Sequence, residues 1–225
     1  MIKSVMVNGA EAIRMMVDGK LAWGLPVGFK RCKYLESTGT QIIDTLYHPI
    51  PIETRIEFEF TEMTKVDGAA ALMGTRTKAN STDKGSFNIF QSTGNGKGFR
   101  LDMIGGYLCI PPFQEKEKCV IDVNRDIVTF GDKNITMHTF NLNDGMPTDG
   151  SFKLFSFDTA GKYQFSSATI RIHSFSMYNK GIPVIDYVPC VDAAGVPCMY
   201  DTVSKQPFYN QGTGEFTYEL SVADA

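Results

Sequence analysis

The chain has 225 residues, 43% of them hydrophobic and 21% charged, with a formal net charge of −3. A chain of this size buries about 70% of its unfolded surface, so it needs neither disulfides nor metal to fold, and its composition excludes disorder over most of its length. No basic stripe supports nucleic-acid or anionic-membrane binding, and no apolar run approaches the ~20 residues of a membrane helix.

The N-terminus reaches a turn signal before any long apolar core, so no secretory leader is expected and synthesis in the cytosol is. Val5-Met6-Val7-Asn8-Gly9 is echoed ten residues on by Met15-Met16-Val17-Asp18-Gly19. Asn-Gly and Asp-Gly between apolar runs are strong hairpin signals, because both turn residues need positive φ. Residues 2–24 therefore read as a three-stranded meander, 2–7, 11–17 and 20–24, ending at Trp23, the only tryptophan. So short a meander cannot bury enough apolar surface to stand alone. Residues 1–25 are read as a docking or assembly segment with Trp23 as its anchor. Leu25-Pro26-Val27-Gly28 reads as a linker, and residues 26–225 as the main domain.

From about residue 30 the chain is a string of short strands. Arg55–Phe60 alternates strictly, with Ile56, Phe58 and Phe60 on one face of a half-buried antiparallel strand. Further strands are expected at 70–74, 86–91, 98–104, 107–110, 118–123, 126–130, 134–138, 151–157, 167–178 and 183–190. Turn clusters such as Ser81–Gly85, Gly94–Gly98, Asn143–Gly145 and Thr148–Gly150 separate them, and the alternating charges of Gln114–Lys118 read as a solvated loop. In 167–178 the apolar phase changes between Ile170/Ile172 and Phe175/Met177, which predicts a bulge near His173-Ser174. No helix longer than two turns is expected. The pattern is that of an all-β protein: a two-sheet antiparallel β-sandwich preceded by a small β-meander.

The chemistry-bearing residues are sparse. Cys32, Cys109, Cys119, Cys190 and Cys198 match no zinc spacing and read as reduced thiols, with Cys190–Cys198 the one local bridge to consider. His48, His138 and His173 lie far apart and carry no metal or triad signature. Gly94-Asn95-Gly96-Lys97-Gly98 lacks phosphate-loop spacing and reads as a loop. Glu57 and Glu59 share a strand face, as the paired acids of a glycosidase do, but Arg55 precedes them and Thr61 follows, which fits a charge-paired outer face better. No metal or other cofactor is expected from the residues themselves.

Two ends of the chain carry a resemblance. Tyr34-Leu35-Glu36-Ser37-Thr38-Gly39-Thr40-Gln41-Ile42-Ile43-Asp44-Thr45 resembles the opening of laminin-G-like, concanavalin A-like jelly-roll domains of bacteriophage and prophage tail proteins. Ile170–Tyr178, Asp186–Cys190, Gly195–Asp201 and Phe208–Phe216 are similar to their closing strands. The segment ending Lys20-Leu21-Ala22-Trp23 resembles a module found ahead of such domains. The resemblance covers both ends of residues 30–220, while about 61–165 matches only in strand rhythm. Cys198 departs from a usual Gly, and Ile43 from a common Tyr.

The resemblance implies a non-enzymatic virion structural protein (a tail, fibre or decoration component) made in the bacterial host cytoplasm, assembling with other virion proteins and with itself as a homo-oligomer. It leaves open a bacterial surface glycan as ligand, and one calcium ion at the sandwich rim through Asn141, Asn143, Asp144 and Asp158, which read as loop residues. Because sugar faces stack on rings, Tyr47, Tyr107, Phe113 and Tyr163 are the candidate platform. A lectin outside a virion, and less plausibly a glycoside hydrolase of the same fold, are the alternatives. Nucleic acid and membrane are not expected partners.

Overall fold

The computed structural model describes residues 6–7, 10–11, 14–17, 20–62, 70–76, 86–92, 98–103, 106–110, 117–125, 127–130, 133–136, 145–159, 162–165 and 169–221; for residues 6–23 and several strand ends only the backbone is described. Of the expected turn clusters, Ser81–Gly85, 94–97 and 143–144 fall outside these residues.

The N-terminal segment forms two strand pairs instead of one meander. β1 (Met6–Val7) pairs with β2 (Ala10–Glu11), and β3 (Arg14–Val17) pairs with β4 (Lys20–Gly24). The expected middle strand 11–17 is thus split between the two pairs, each with its own two-residue connection, as the repeated Asn-Gly and Asp-Gly signals require. A bulge between Met15 and Met16 breaks the second register.

The rest of the described chain is β5 (Lys30–Ser37), β6 (Ile43–Asp44), β7 (Thr54–Glu62), β8 (Ala70–Arg76), β9 (Phe87–Ser92), β10 (Gly98–Met103), β11 (Gly106–Ile110), β12 (Glu117–Asp122), β13 (Ile127–Phe130), β14 (Lys133–Thr136), β15 (Lys153–Leu154), β16 (Ser156–Thr159), β17 (Lys162–Phe165), β18 (Ile170–Asn179), β19 (Ile182–Val191), β20 (Pro197–Asp201), β21 (Gln206–Tyr209) and β22 (Thr217–Leu220). Two 3-10 turns, Pro51–Glu53 and Val123–Arg125, are the only helical segments among the described residues. No helix there is long and apolar enough to cross a membrane.

Two sheets result. One runs β11-β10-β9-β8-β15-β6, with β16 also on β8 and β17 on β16; the other runs β14-β13-β12-β7-β18-β5-β19-β20-β21, with β22 also on β5. Their facing sides form one core. Ile56, Phe58 and Phe60 from β7, and Ile172, Phe175 and Met177 from β18, meet Phe87, Ile89, Phe99 and Leu101 of the opposite sheet. Phe60 lies edge-on to Phe99 at 5.1 Å, and Phe152 stacks on Phe175 at 5.8 Å. The protein is therefore an antiparallel two-sheet β-sandwich, as the strict alternation of β7 and the density of short strands predict.

The phase change in β18 is a bulge, with the register against β7 shifting between Ile172 and Ser174. It returns Phe175 and Met177 to the core after Ile170 and Ile172. The bulged His173 turns outward, bonding Thr61 Oγ1 and the Lys33 carbonyl, each at 3.0 Å.

The expected strand 151–157 is two strands. Phe155, buried with φ of 65°, reverses the chain, so that β15 runs antiparallel to β8 and β16 parallel to it. A phenylalanine held in the left-handed region is costly, and here the ring is pinned against Phe216 at 4.8 Å. The charge run 114–118 is likewise not all loop, since Glu117 and Lys118 open β12.

The linker reading of residues 25–28 also changes. Leu25 is 1% exposed and sits in a satellite core with Cys190, Cys198 and Tyr200, flanked by Phe29 and Val188. An apolar side chain so placed gains about 2 kcal/mol by burial, so this position fixes the chain where it leaves β4. Trp23 lies opposite Met15 in the β3–β4 pair, and its side chain is outside the described residues.

The two ends of the sandwich are clasped. Gln41, 1% exposed, accepts from the Thr38 N–H at 2.8 Å and from Ser37 Oγ at 2.9 Å, and donates to the Glu215 carbonyl at 3.0 Å. Asn210 Oδ1 accepts from the N–H groups of Ile42 and Gly212, at 2.9 and 2.8 Å. Thr213 N donates to the Thr40 carbonyl at 3.0 Å, and Thr40 Oγ1 donates to the Thr213 carbonyl at 2.8 Å. A Cβ on Gly212 would lie 2.0 Å from the Thr40 oxygen. Gly212→Ala is expected to force these loops apart and lower stability by about 2–4 kcal/mol, read as a shift in the urea midpoint at unchanged slope.

Candidate functional site

Of the four candidate aromatics only Tyr47 has a described side chain. Tyr47 follows β6 at one end of its sheet, and Tyr107 lies in β11 at the other. The Tyr47 ring packs against the core, and its hydroxyl accepts from Asn179 Nδ2 at 3.0 Å, so it is a rim support. Tyr107 stands opposite Asp102 in the β10–β11 ladder, and Tyr163 opposite Asp158 in β16–β17. The side chains of Tyr107 and Tyr163, and all of Phe113, are outside the described residues.

Of the calcium candidates, Asp158 lies within β16, not in a loop as expected. Asn141, Asn143 and Asp144 are outside the described residues, as is His138. Among the described residues no three His, Cys, Asp or Glu side chains converge on a metal-sized site. His48 Nδ1 bonds the Thr148 carbonyl at 3.0 Å, which makes it a loop tie.

Glu57 and Glu59 lie on the outer face of β7. The Glu57 carboxylate is held between the Arg55 guanidinium and Lys118 Nζ, the latter at 2.8 Å, and the residue is buried. Arg55 in turn stacks over Tyr178 at 4.8 Å. The expected charge-paired face is there, but at Glu57 it is far less solvated than a surface strand implies. A carboxylate flanked by two cations favours its ionised form, the opposite of what a general acid requires. Farther along the face Arg171 pairs with Glu36 and lies 4.2 Å over the Tyr34 ring, while Lys33 pairs with Glu219.

The aspartates of the closing motifs are structural. Asp201, 2% exposed, accepts from the N–H groups of Asp186 at 2.8 Å, Val203 at 3.1 Å and Ser204 at 3.0 Å. Asp186 takes the hydroxyls of Ser176 at 2.8 Å and Thr202 at 2.6 Å. At the other rim Lys153, almost wholly buried, donates to Ser151 Oγ at 2.9 Å and pairs with Asp44 at 3.4 Å.

A cluster of charged and aromatic side chains that the sequence reading missed lies on the outer face of β8, β9, β10 and β16. The Arg76 guanidinium lies 4.3 Å from the Phe157 ring centre and 5.1 Å from that of Phe90; Arg100 lies 5.5 Å from Phe90. Between them Asp102, fully buried, accepts from Arg100 Nε at 2.5 Å and faces Arg76 at 3.8 Å. Asn88 Oδ1 accepts from Arg76 Nε at 3.1 Å. Asn88 Nδ2 and Asp102 Oδ2 are buried with no hydrogen-bond partner among the described residues.

Burial pulls Arg76 below its ordinary value; Asp102 opposes the shift and Arg100 adds to it. A guanidinium remains charged across such a change.

The signal was in the alternation. In Phe87-Asn88-Ile89-Phe90, Phe87 and Ile89 fill the sandwich core, leaving Phe90 and Asn88 on the other side, where a lone apolar ring among polar strand positions marks a second buried cluster. The cluster also predicts a stability effect: Asp102→Ala removes the buried carboxylate that both Arg76 and Arg100 reach and is expected to cost about 3 kcal/mol, whereas Asp102→Asn retains a hydrogen-bond acceptor and costs less. Chemical denaturation of both variants checks the order.

No family model matches the chain, and no curated protein matches it in sequence.

Proposed function

We propose that this protein is a non-enzymatic structural component of a bacteriophage particle, from its tail, fibre or surface decoration, whose sandwich is a jelly roll of the laminin-G-like kind that recognises bacterial surface glycans. Residues 1–25 then serve as the segment that docks on other virion proteins or on further copies of the chain.

The observation that carries this reading is the clasp. The opening and closing segments that resemble phage tail domains are far apart in sequence, yet Ser37–Ile42 and Asn210–Glu215 bond directly to each other. The resemblance therefore falls on the residues that hold one fold together, which is where a shared architecture imposes a shared sequence. The same residues carry no chemistry of their own. Glu57, the nearest approach to a glycosidase acid, is neutralised by Arg55 and Lys118, which favours a binding protein over a hydrolase of this fold.

For recognition, the Arg76–Arg100–Asp102 face favours a glycan bearing carboxylate or phosphate groups. Guanidinium groups are the donors such anions take, and Arg76 and Arg100 both sit on this face beside Asp102. The same face suits a lectin outside a virion, so the two readings part on residues 1–25 and not on the ligand.

The test is a glycan array of bacterial surface polysaccharides, with calcium and with a chelator. Selective, calcium-independent binding to acidic glycans is expected, weakened at least tenfold in Arg76→Ala and unchanged in Glu57→Gln. Equal binding by wild type and Arg76→Ala removes this face from the proposal. For the assembly role, a chain lacking residues 1–25 is expected to fold but to be lost from particles; normal incorporation counts against it.

A further inference from the structure

We propose that Cys190 and Cys198 form a cross-strand dithiol that closes to a disulfide when the protein meets a peroxide. This is independent of the glycan reading and rests on the geometry of one strand pair.

Cys190 and Cys198 are direct partners in the antiparallel β19–β20 ladder. Residues so opposed hold their Cα atoms about 4.5 or 5.5 Å apart, and both spacings lie inside the range a disulfide spans. The two sulfurs are already 3.5 Å apart, and both residues are fully buried thiols. Closure therefore needs rotation of two short side chains and no movement of the sheet. The other cysteines with described side chains are less well placed. In the β5–β19 ladder Cys190 stands opposite Arg31, one residue from Cys32, and Cys119 lies in β12, beyond β7, β18 and β5.

The chemistry balances with hydrogen peroxide as the oxidant. One sulfur, as thiolate, attacks the O–O bond; hydroxide leaves and takes up the proton released by the thiol, and a sulfenic acid remains. The second sulfur then attacks that sulfur and displaces its hydroxyl as water. Two thiols and one peroxide become one disulfide and two waters. The Cys190 thiol is pushed up by its hydrogen bond to Cys198, by burial and by the neighbouring thiols of Cys198 and Cys32, with the backbone at Tyr200 pulling the other way. Thiolate is therefore scarce at neutral pH, and closure is slow there and faster in mild alkali.

The position gives closure a consequence. Leu25, Phe29, Tyr200 and Val188 pack around the pair, so the bond would lock the patch to which the chain is fixed as it leaves β4. A protein made in a reducing cytosol and released outside would carry open thiols during assembly and a closed bond afterwards.

The test uses the full-length protein, purified reduced, treated with hydrogen peroxide in mild alkali, blocked at remaining thiols and digested without reductant. A peptide linking Cys190 to Cys198, two hydrogens lighter, is expected, with a rise in Tm of about 5–10 °C that dithiothreitol reverses. Cys198→Ala and Cys190→Ala should each abolish the peptide and the rise in Tm. The peptide map of the wild type decides the matter even where a variant folds poorly: a Cys32-linked peptide in its place, or Cys190 and Cys198 recovered unlinked after treatment, overturns the proposal.

Discussion

The sandwich depends on the contact between its first and last loops. A sheet that receives β5 near the start of the domain and β22 at its end must bring two distant pieces of chain to one place, and the backbone groups of both loops must find partners there. Gln41 and Asn210 supply them. Each uses a side-chain amide to satisfy backbone groups of the opposite loop, at Glu215 and at Ile42. Such cross-loop bonds contribute about 1 kcal/mol each when made and cost more when one partner is lost, so the clasp behaves as a unit. Gly212 is the steric condition for it, since only a residue without a side chain lets the two backbones approach so closely.

This explains what was legible in the sequence and what was not. The core face of β7 is written in its alternation, and the bulge in β18 in its change of phase, because one-sided burial leaves a period of two. The motif residues at both ends were visible as a pattern, but their role as partners was not, since pairing across about 170 positions leaves no local trace. The division of 151–157 was hidden for a different reason. Phe155 reads as an ordinary strand residue, and only tertiary packing on Phe216 holds it at positive φ. Leu25 reads as linker beside Pro26 and Gly28 for the same reason, its burial being decided by β19 and β20.

Register brings together what the sequence separates. The strands nearest Tyr47 and carrying Tyr107 lie at opposite ends of a path six strands long. The Arg76 cluster forms because β8, β9 and β10 are successive neighbours, so side chains distant in sequence converge by register alone.

Each outer face carries its own charge cluster. On the face of β7, β18 and β5, Arg55 and Lys118 share Glu57, and Arg171 pairs with Glu36. On the face of β8–β10, Arg76 and Arg100 both reach the buried Asp102, and both lie over the Phe90 ring. In both clusters a buried carboxylate is held by a cation from its own strand and one from another strand, so each ties its own sheet together across the ladder and is costly to remove.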